Sequence, residues 1–137
     1  SGNSMVRPDV FGYSSAISAW SKSRQRGAGR YAERLVARMQ ELYEAGEEEL
    51  KPNTVTMNSA IDAWARSGEG TLGARRAEML LELMEERYKA GDHHVKPNAL
   101  TYNSVILAWA RSGTKCAHRK AESVLHRMWD MYEAGNE

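Results

Sequence analysis

Two series of short polar residues recur along the chain at a nearly constant spacing. Ser14, Asn58 and Asn103 lie 44 and 45 residues apart, and Asn53 and Asn98 lie 45 residues apart. Their side chains are short and uncharged, and each can hydrogen-bond the polar edge of a ligand. The same residue types also cap helices and form turns, so the pattern alone leaves both interpretations open.

A row of cations recurs with the same spacing. Lys22, Arg66 and Arg111 each stand two residues after a tryptophan. A single charged residue on a helix is usually only solvated, but a cation at one position of every repeat is arranged to follow a row of phosphates. This row reconciles anion binding with a net charge of only +1.

Residues for catalysis or metal binding do not recur in this way. Cys116, His118 and His126 fall in one repeat only, and Cys116 is the only cysteine, which excludes an internal disulfide. A Gly-rich phosphate loop, a nucleophile elbow and a recurring carboxylate pair are all missing from the sequence. We therefore expect no enzyme activity, no cofactor and no metal site. No apolar run approaches the ~20 residues of a membrane span, so no membrane partner is expected.

The recurring residues belong to a longer internal repeat. The stretch KPNTVTMNSAIDAW returns as KPNALTYNSVILAW, and RPDVFGYSSAISAW precedes both, so that all three prolines take one equivalent position. Residues 1–6 are interpreted as an unstructured tag remnant, and the repeat array is predicted for residues 7–137. Its units are 10–53, 54–98 and 99–137, the last of them truncated.

Each unit carries two helical patterns. In the first, helix A, Met57, Ala60, Ile61 and Trp64 follow the spacing of one helical face, and Ser-Gly follows the helix. The second, helix B, has the same kind of apolar face and is predicted to stop at a glycine. The predicted stops are Gly46, Gly91 and Gly135.

A helix pair of this size cannot bury its own apolar face, so neighbouring units must stack. The predicted fold is all-α, an α-solenoid of about three stacked antiparallel helix-turn-helix repeats. Trp20, Trp64 and Trp109 lie on the apolar face and are predicted to be core residues. Trp129 has no counterpart in the other units and is predicted to be exposed.

These units resemble the pentatricopeptide repeat. The resemblance rests on Pro-Asn or Pro-Asp before Val-Thr-Met-Asn-Ser-Ala-Ile-Asp-Ala-Trp, a basic residue and Ser-Gly after it, a later Ala-Glu, Met84, and the returning Lys96-Pro97-Asn98. It covers nearly the whole chain after residue 6. The units are longer than is usual for the family, and the added residues are expected to lengthen helix B past Tyr43 and Tyr88.

The resemblance implies sequence-specific binding of single-stranded RNA, with one unit reading one base. It implies a preference for 5′-A-C-(C/U)-3′ and a role in RNA processing, stability, editing or translation in a mitochondrion or chloroplast. The implied base-reading residues are Ser14 with Asn53, Asn58 with Asn98, and Asn103; the residues that sandwich the bases are Phe11, Val55 and Leu100; the phosphate contacts are Lys22, Arg66 and Arg111.

An alternative function is a helical-repeat scaffold that binds protein, as tetratricopeptide repeats do. Self-association through uncapped repeat ends is a further expected contact. The typical Trp, Leu-Gly and Tyr placements of tetratricopeptide repeats are absent. The two functions are distinguished by whether the base-reading residues line one open groove together with the cations.

Overall fold

The computed structural model describes residues 6–135, and in this part of the chain it is all-α, with no strand. Residues 1–5 of the predicted tag remnant lie outside the described residues. Six α-helices pack together in this part of the chain, which confirms the prediction that the fold is all-α. Two one-turn 3-10 helices, Glu48–Leu50 and His93–Val95, follow α2 and α4. The α-helices are α1 (Val10–Ser23), α2 (Ala28–Glu44), α3 (Thr54–Ala65), α4 (Gly70–Lys89), α5 (Ala99–Ala110) and α6 (Ala117–Gly135).

Helices α1, α3 and α5 begin at the repeated proline motif because a polar side chain caps each of them. The carboxylate of Asp9 accepts a hydrogen bond from the backbone of Gly12 at 2.9 Å. Asn53 and Asn98 accept from the backbone N–H groups of Thr56 and Thr101 at 3.0 and 3.2 Å. Each threonine hydroxyl in turn accepts from the backbone of its asparagine, which completes a capping box.

Helices α2 and α4 end at glycines, as predicted. Gly46 and Gly91 have φ of 115° and 107°, a conformation that costs glycine little, and their neighbours close Schellman-type hydrogen bonds. The added residues are expected from the sequence to lengthen helix B past Tyr43 and Tyr88, but α2 and α4 end at Glu44 and Lys89, one residue after each tyrosine. The residues that follow Gly46 and Gly91 do not extend the helices. They form the two 3-10 helices, which bury Leu50 and Val95. The third predicted stop, Gly135, is the last described residue of α6, and the residues after it lie outside the described part of the chain.

The helices pack through an apolar core that runs the length of the molecule. Helix α3 contacts α1 and α5, while α2 contacts α1 and α3, α4 contacts α3 and α5, and α6 contacts α5. Burying one large apolar side chain contributes about 1.5–3 kcal/mol, so this core is the main stabilising term. Its largest fully buried side chains are Ile17, Met39, Met57, Ile61, Leu81, Met84, Val95, Tyr102, Val105 and Val124.

The tryptophans join successive units. Trp64 and Trp109 are buried, as predicted, while Trp20 is only half-buried. The indole N–H of Trp64 donates to Glu33 at 2.7 Å, and that of Trp109 donates to Glu78 at 2.6 Å. Each interface thus satisfies its buried indole with a carboxylate from the preceding unit, and the charge on the acceptor strengthens the hydrogen bond.

Candidate nucleic-acid interface

An open groove of about 830 Å³ lies along α1 and the start of α3. Its walls bring together five of the residues singled out in the sequence: Phe11, Ser14, Lys22, Asn53 and Val55. The set includes an aromatic side chain, an aliphatic side chain, two short polar groups and a cation. We refer to it as the α1–α3 groove.

The apolar members of this groove are unusually exposed. Phe11 and Val55 each occupy the second residue of a helix A, and they are 79% and 62% exposed. Neither position belongs to the buried stripe that carries Trp64. Leu100 takes the same position in α5 and is also exposed. The start of each helix A thus presents an exposed apolar side chain at the same repeated position.

Ser14 and Asn53 supply the polar groups of the α1–α3 groove. The Oδ1 atom of Asn53 is occupied by the helix cap, since it accepts from the backbone of Thr56. Its Nδ2 group and the Ser14 hydroxyl remain as hydrogen-bonding groups on the wall of the groove. The Thr56 hydroxyl donates to the Asn53 carbonyl at 2.9 Å, whereas the hydroxyl of its counterpart Thr101 donates to Asn58 Oδ1 at 2.6 Å.

The equivalent position between α3 and α5 is closed. Asn58, which stands where Ser14 stands in unit one, is only 5% exposed. Its Nδ2 donates to Asn98 Oδ1 at 3.0 Å, and its Oδ1 accepts from the Thr101 hydroxyl at 2.6 Å. The longer amide side chain therefore fills the space that remains open beside Ser14.

Asn98 and Asn103 face outward. Asn98 is exposed. Its Oδ1 caps α5 and also accepts a hydrogen bond from Asn58 Nδ2. The Nδ2 group of Asn98 is therefore the part of the side chain left for a ligand. Asn103 is exposed on α5. The predicted base-reading residues are thus divided: Ser14 and Asn53 share one groove, Asn58 lies behind Asn98, and Asn103 stands apart.

The cations are also divided. Lys22 lies in the α1–α3 groove, whereas Arg66 and Arg111 line a second cavity of about 330 Å³ together with Arg24. Arg24, Arg66 and Arg111 are the C-cap residues of α1, α3 and α5, where cations also interact favourably with the helix dipole. We call these three residues the arginine cluster.

Sequence reasoning missed Arg24 because α1 runs further past its tryptophan than α3 does. Helix α1 continues to Ser23, so its C-cap falls at Arg24, which adopts a left-handed conformation with φ 55°. Counting from the tryptophan gave Lys22 as the equivalent of Arg66. Counting from the end of the helix would have found Arg24.

One member of the arginine cluster is partly neutralised. Arg66 Nε donates to Asp62 Oδ1 at 3.0 Å, and the other oxygen of Asp62 accepts from Ser21 at 2.5 Å across the α1–α3 interface. This pair holds Arg66 in place at the cost of part of its free charge. Arg24 and Arg111 are exposed.

The arrangement suits a ligand that combines flat apolar faces, polar edges and negative charges. Within residues 6–135 no cluster of His, Cys, Asp or Glu side chains has the composition of a metal site. In the same part of the chain, no helix is both long and apolar enough to cross a membrane. Comparisons of the chain with protein-family models, with curated proteins and with solved structures gave no match.

Proposed function

We propose that this chain is an array of stacked helical repeats that binds single-stranded RNA, with one unit contacting one base. The observation that carries the proposal is the convergence of Phe11, Ser14, Lys22, Asn53 and Val55 on the α1–α3 groove. Of the eleven residues that the sequence predicts as RNA contacts, these five share the groove and the other six lie outside it. The resemblance to pentatricopeptide repeats supports the same function.

The α1–α3 groove offers every contact that one nucleotide needs. A base inserted between Phe11 and Val55 gains stacking and apolar contact, which contributes about 1–3 kcal/mol per base. Its polar edge then meets the Ser14 hydroxyl and the Asn53 amide. Lys22, further along the same groove, provides a charge for the adjoining phosphate.

At the next unit the roles are shared differently. Leu100 provides the apolar contact, and Asn98 presents its Nδ2 to the base edge. Asn58 holds Asn98 Oδ1 from behind, so it orients the reading group and does not touch the base. The predicted preference 5′-A-C-(C/U)-3′ rests on the family resemblance, as does a site of action in a mitochondrion or chloroplast.

The arginine cluster extends the electrostatic part of the proposal. Arg24, Arg66 and Arg111 come from three successive units and meet at one cavity, so a phosphate backbone that crosses the helix ends would meet all of them. Cations at this spacing would give affinity without base preference, because phosphates carry no sequence information.

The proposal is tested by fluorescence anisotropy with a labelled single-stranded RNA that contains 5′-ACC-3′. Stacking of about 1–3 kcal/mol per base must offset an association cost of about 4–15 kcal/mol, so we expect a micromolar or weaker Kd. A double variant, Phe11→Ala with Val55→Ala, should weaken binding at least tenfold. Leu72→Ala is the matched control, since Leu72 is an exposed apolar residue on α4, away from the groove.

Two results would overturn the proposal. One is equal binding by the double variant and the control variant, which would place the contact on another surface. The other is binding to double-stranded RNA as tight as to single-stranded RNA, because a paired base cannot enter between Phe11 and Val55.

A further inference from the structure

The two interfaces between successive units repeat the same pair of contacts. In the first contact, a helix A tryptophan donates to a glutamate of the preceding unit, Trp64 to Glu33 and Trp109 to Glu78. In the second, the lysine that leads into the next helix A lies over the tyrosine one residue before the end of helix B. The distances from ammonium to ring centroid are 5.5 Å for Lys51 over Tyr43 and 5.4 Å for Lys96 over Tyr88.

Helix α1 has the residues with which a helix A contacts the preceding unit, but in the described residues no unit precedes it. Ala16 is exposed, while its counterparts Ala60 and Val105 are fully buried. Trp20 is likewise more exposed than Trp64. These differences mark the face of α1 that a preceding helix B would cover.

Arg7 completes this half. It takes the position of Lys51, and it pairs with Glu47 as Lys51 pairs with Asp92. Lys51 makes its ion pair and lies over Tyr43 at the same time. Arg7 is therefore held where it can cover a tyrosine of a preceding helix.

Helix α6 carries the other half, also uncovered. Leu125 is 44% exposed, whereas its counterpart Leu81 is completely buried. Tyr132, the counterpart of Tyr88, is 61% exposed. Glu122 stands one unit after Glu78 on the exposed side of α6. The apolar part of this face borders a cavity of about 330 Å³ and consists of Leu125, Met128, Trp129 and Tyr132.

We propose that the 137-residue chain associates head to tail, with α1 of one copy packed on α6 of another. The contact repeats the internal interface: Trp20 donates to the Glu122 carboxylate, and Arg7 covers the Tyr132 ring. Ala16 and Leu125 become buried in the new interface, as their counterparts Ala60 and Leu81 are in the described chain. A second copy fits this face because the chain itself holds every complementary residue, and the proposal does not depend on RNA binding.

The two faces differ, so the contact is heterologous and leaves a free face at each end. Association is then open-ended, and the mean size of the assemblies rises steadily with protein concentration. A symmetric contact of α6 with α6 would instead stop at a dimer.

His118 marks where the new interface is less favourable than the internal ones. It stands at the position of Gly29 and Ala74, which are both buried, and a Cβ at Gly29 would meet the Trp64 ring within 2.6 Å. The His118 side chain must turn aside before Trp20 can dock. His118→Ala should therefore strengthen association.

Sedimentation velocity over a concentration series tests the proposal. Ala16→Arg blocks the α1 face and Leu125→Glu blocks the α6 face, so each variant alone should be monomeric. An equimolar mixture should form a heterodimer and nothing larger, because one good face of each kind remains. Both positions are exposed, and circular dichroism confirms that each variant is folded.

A milder pair of variants keeps the test decisive if either charged variant fails to fold. Trp20→Phe retains the stack on Tyr31, whose ring centroid lies 4.6 Å away, but removes the N–H donor. This variant and Glu122→Ala should each weaken association about tenfold, and combining them should add little. Monomers at every concentration, or dimers of Ala16→Arg alone, would overturn the proposal.

Discussion

The Nδ2 group of Asn58 donates a hydrogen bond to Oδ1 of Asn98 at 3.0 Å, across the interface between α3 and α5. In the preceding unit Ser14 takes the position of Asn58, and no such bond spans the α1–α3 groove in the described residues. One change in side-chain length thus decides whether the space between successive units is filled. It also leaves Ser14 on the wall of the α1–α3 groove, whereas Asn58 is buried.

Asn58→Ser should therefore open the α3–α5 interface at a measurable cost in stability. The change leaves Thr101 and Asn98 without their buried partner, which costs about 1–3 kcal/mol in the free energy of unfolding. Asn103→Ser is the control, because Asn103 is exposed and the change should stay within about 0.5 kcal/mol. Equal urea midpoints for the two variants would contradict this prediction.

The cations should contribute affinity without base preference. Under the proposed function, replacing Lys22, Arg66 and Arg111 together by Ala removes three phosphate contacts, which should flatten the plot of log K against log salt by about two, at ~0.7 per contact on single strands. Replacing Arg24 as well should flatten it further. Binding of all RNA sequences should weaken by a similar factor.

A charge-matched control separates this effect from a change in net charge. Arg38, Lys89 and Arg119 are exposed cations of the second helices of the three units, outside the groove and the arginine cluster. Their joint replacement by Ala should leave most of the salt dependence intact. An unchanged slope in the first variant would mean that its cations are only solvated.

Much of the fold was readable from the sequence because it depends on local signals. The proline-asparagine starts, the glycine ends at Gly46 and Gly91, and the apolar spacing around Trp64 each act over a few residues. The burial of Asn58 was not readable, because it depends on Thr101, which lies 43 residues further along the chain. The role of Arg24 was hidden for a related reason: the extra length of α1 shifts the end of the helix, not its apolar pattern.

Gly29 illustrates a second requirement that only packing shows. A Cβ at this position would lie 2.2–2.6 Å from three atoms of the Trp64 ring. Gly29→Ala must therefore displace a buried indole and its hydrogen bond to Glu33, and we expect a loss of about 1–3 kcal/mol in thermal or urea unfolding.

Gly12→Ala is the matched control for Gly29→Ala. Gly12 lies in α1, and an added Cβ would be 3.5 Å from its nearest neighbour, an oxygen of Asp9, which is ordinary contact. Because alanine favours helix over glycine, Gly12→Ala should leave stability unchanged or raise it by up to about 1 kcal/mol. A destabilisation as large as that of Gly29→Ala would show that the two sites are not distinguished by packing.

Tyr102 should make the protein sensitive to alkaline pH. Burial raises the pKa of Tyr102 well above its ordinary value, and the nearby Glu85 carboxylate, which accepts its hydroxyl at 2.8 Å, raises it further. Above about pH 10 the unfolded chain loses this proton while the folded chain retains it, so stability falls as the pH rises. In Tyr102→Phe the decline should be shallower by up to about 1.4 kcal/mol per pH unit.

The comparison of Tyr102→Phe with the unchanged protein is made from the slope of stability against pH. Loss of the hydrogen bond to Glu85 lowers the stability of the variant by an amount that does not depend on the titration of Tyr102. Between pH 7 and 9 the two profiles should be parallel, and they should converge only above pH 10. Parallel profiles up to pH 12 would contradict the prediction.

Asn98→Asp is the sharpest test of base reading, because it changes the exposed half of the side chain alone. Oδ1 keeps its acceptor bonds from Asn58 and from the Thr101 backbone, and aspartate caps a helix as well as asparagine does. The change replaces the exposed Nδ2 donor with an acceptor oxygen. Under the proposed function, the middle base should shift from cytosine toward uracil.

The measurement is competition between two RNAs that differ only at that base, in an array long enough to bind measurably. Asn98→Ala serves as the comparison, since it removes both the cap and the reading group and should weaken binding to the two RNAs alike. Because Asn58 still anchors residue 98 in the aspartate variant, a shifted base preference comes from the exchanged atom. A folded Asn98→Asp protein with the original preference would exclude this asparagine from base reading.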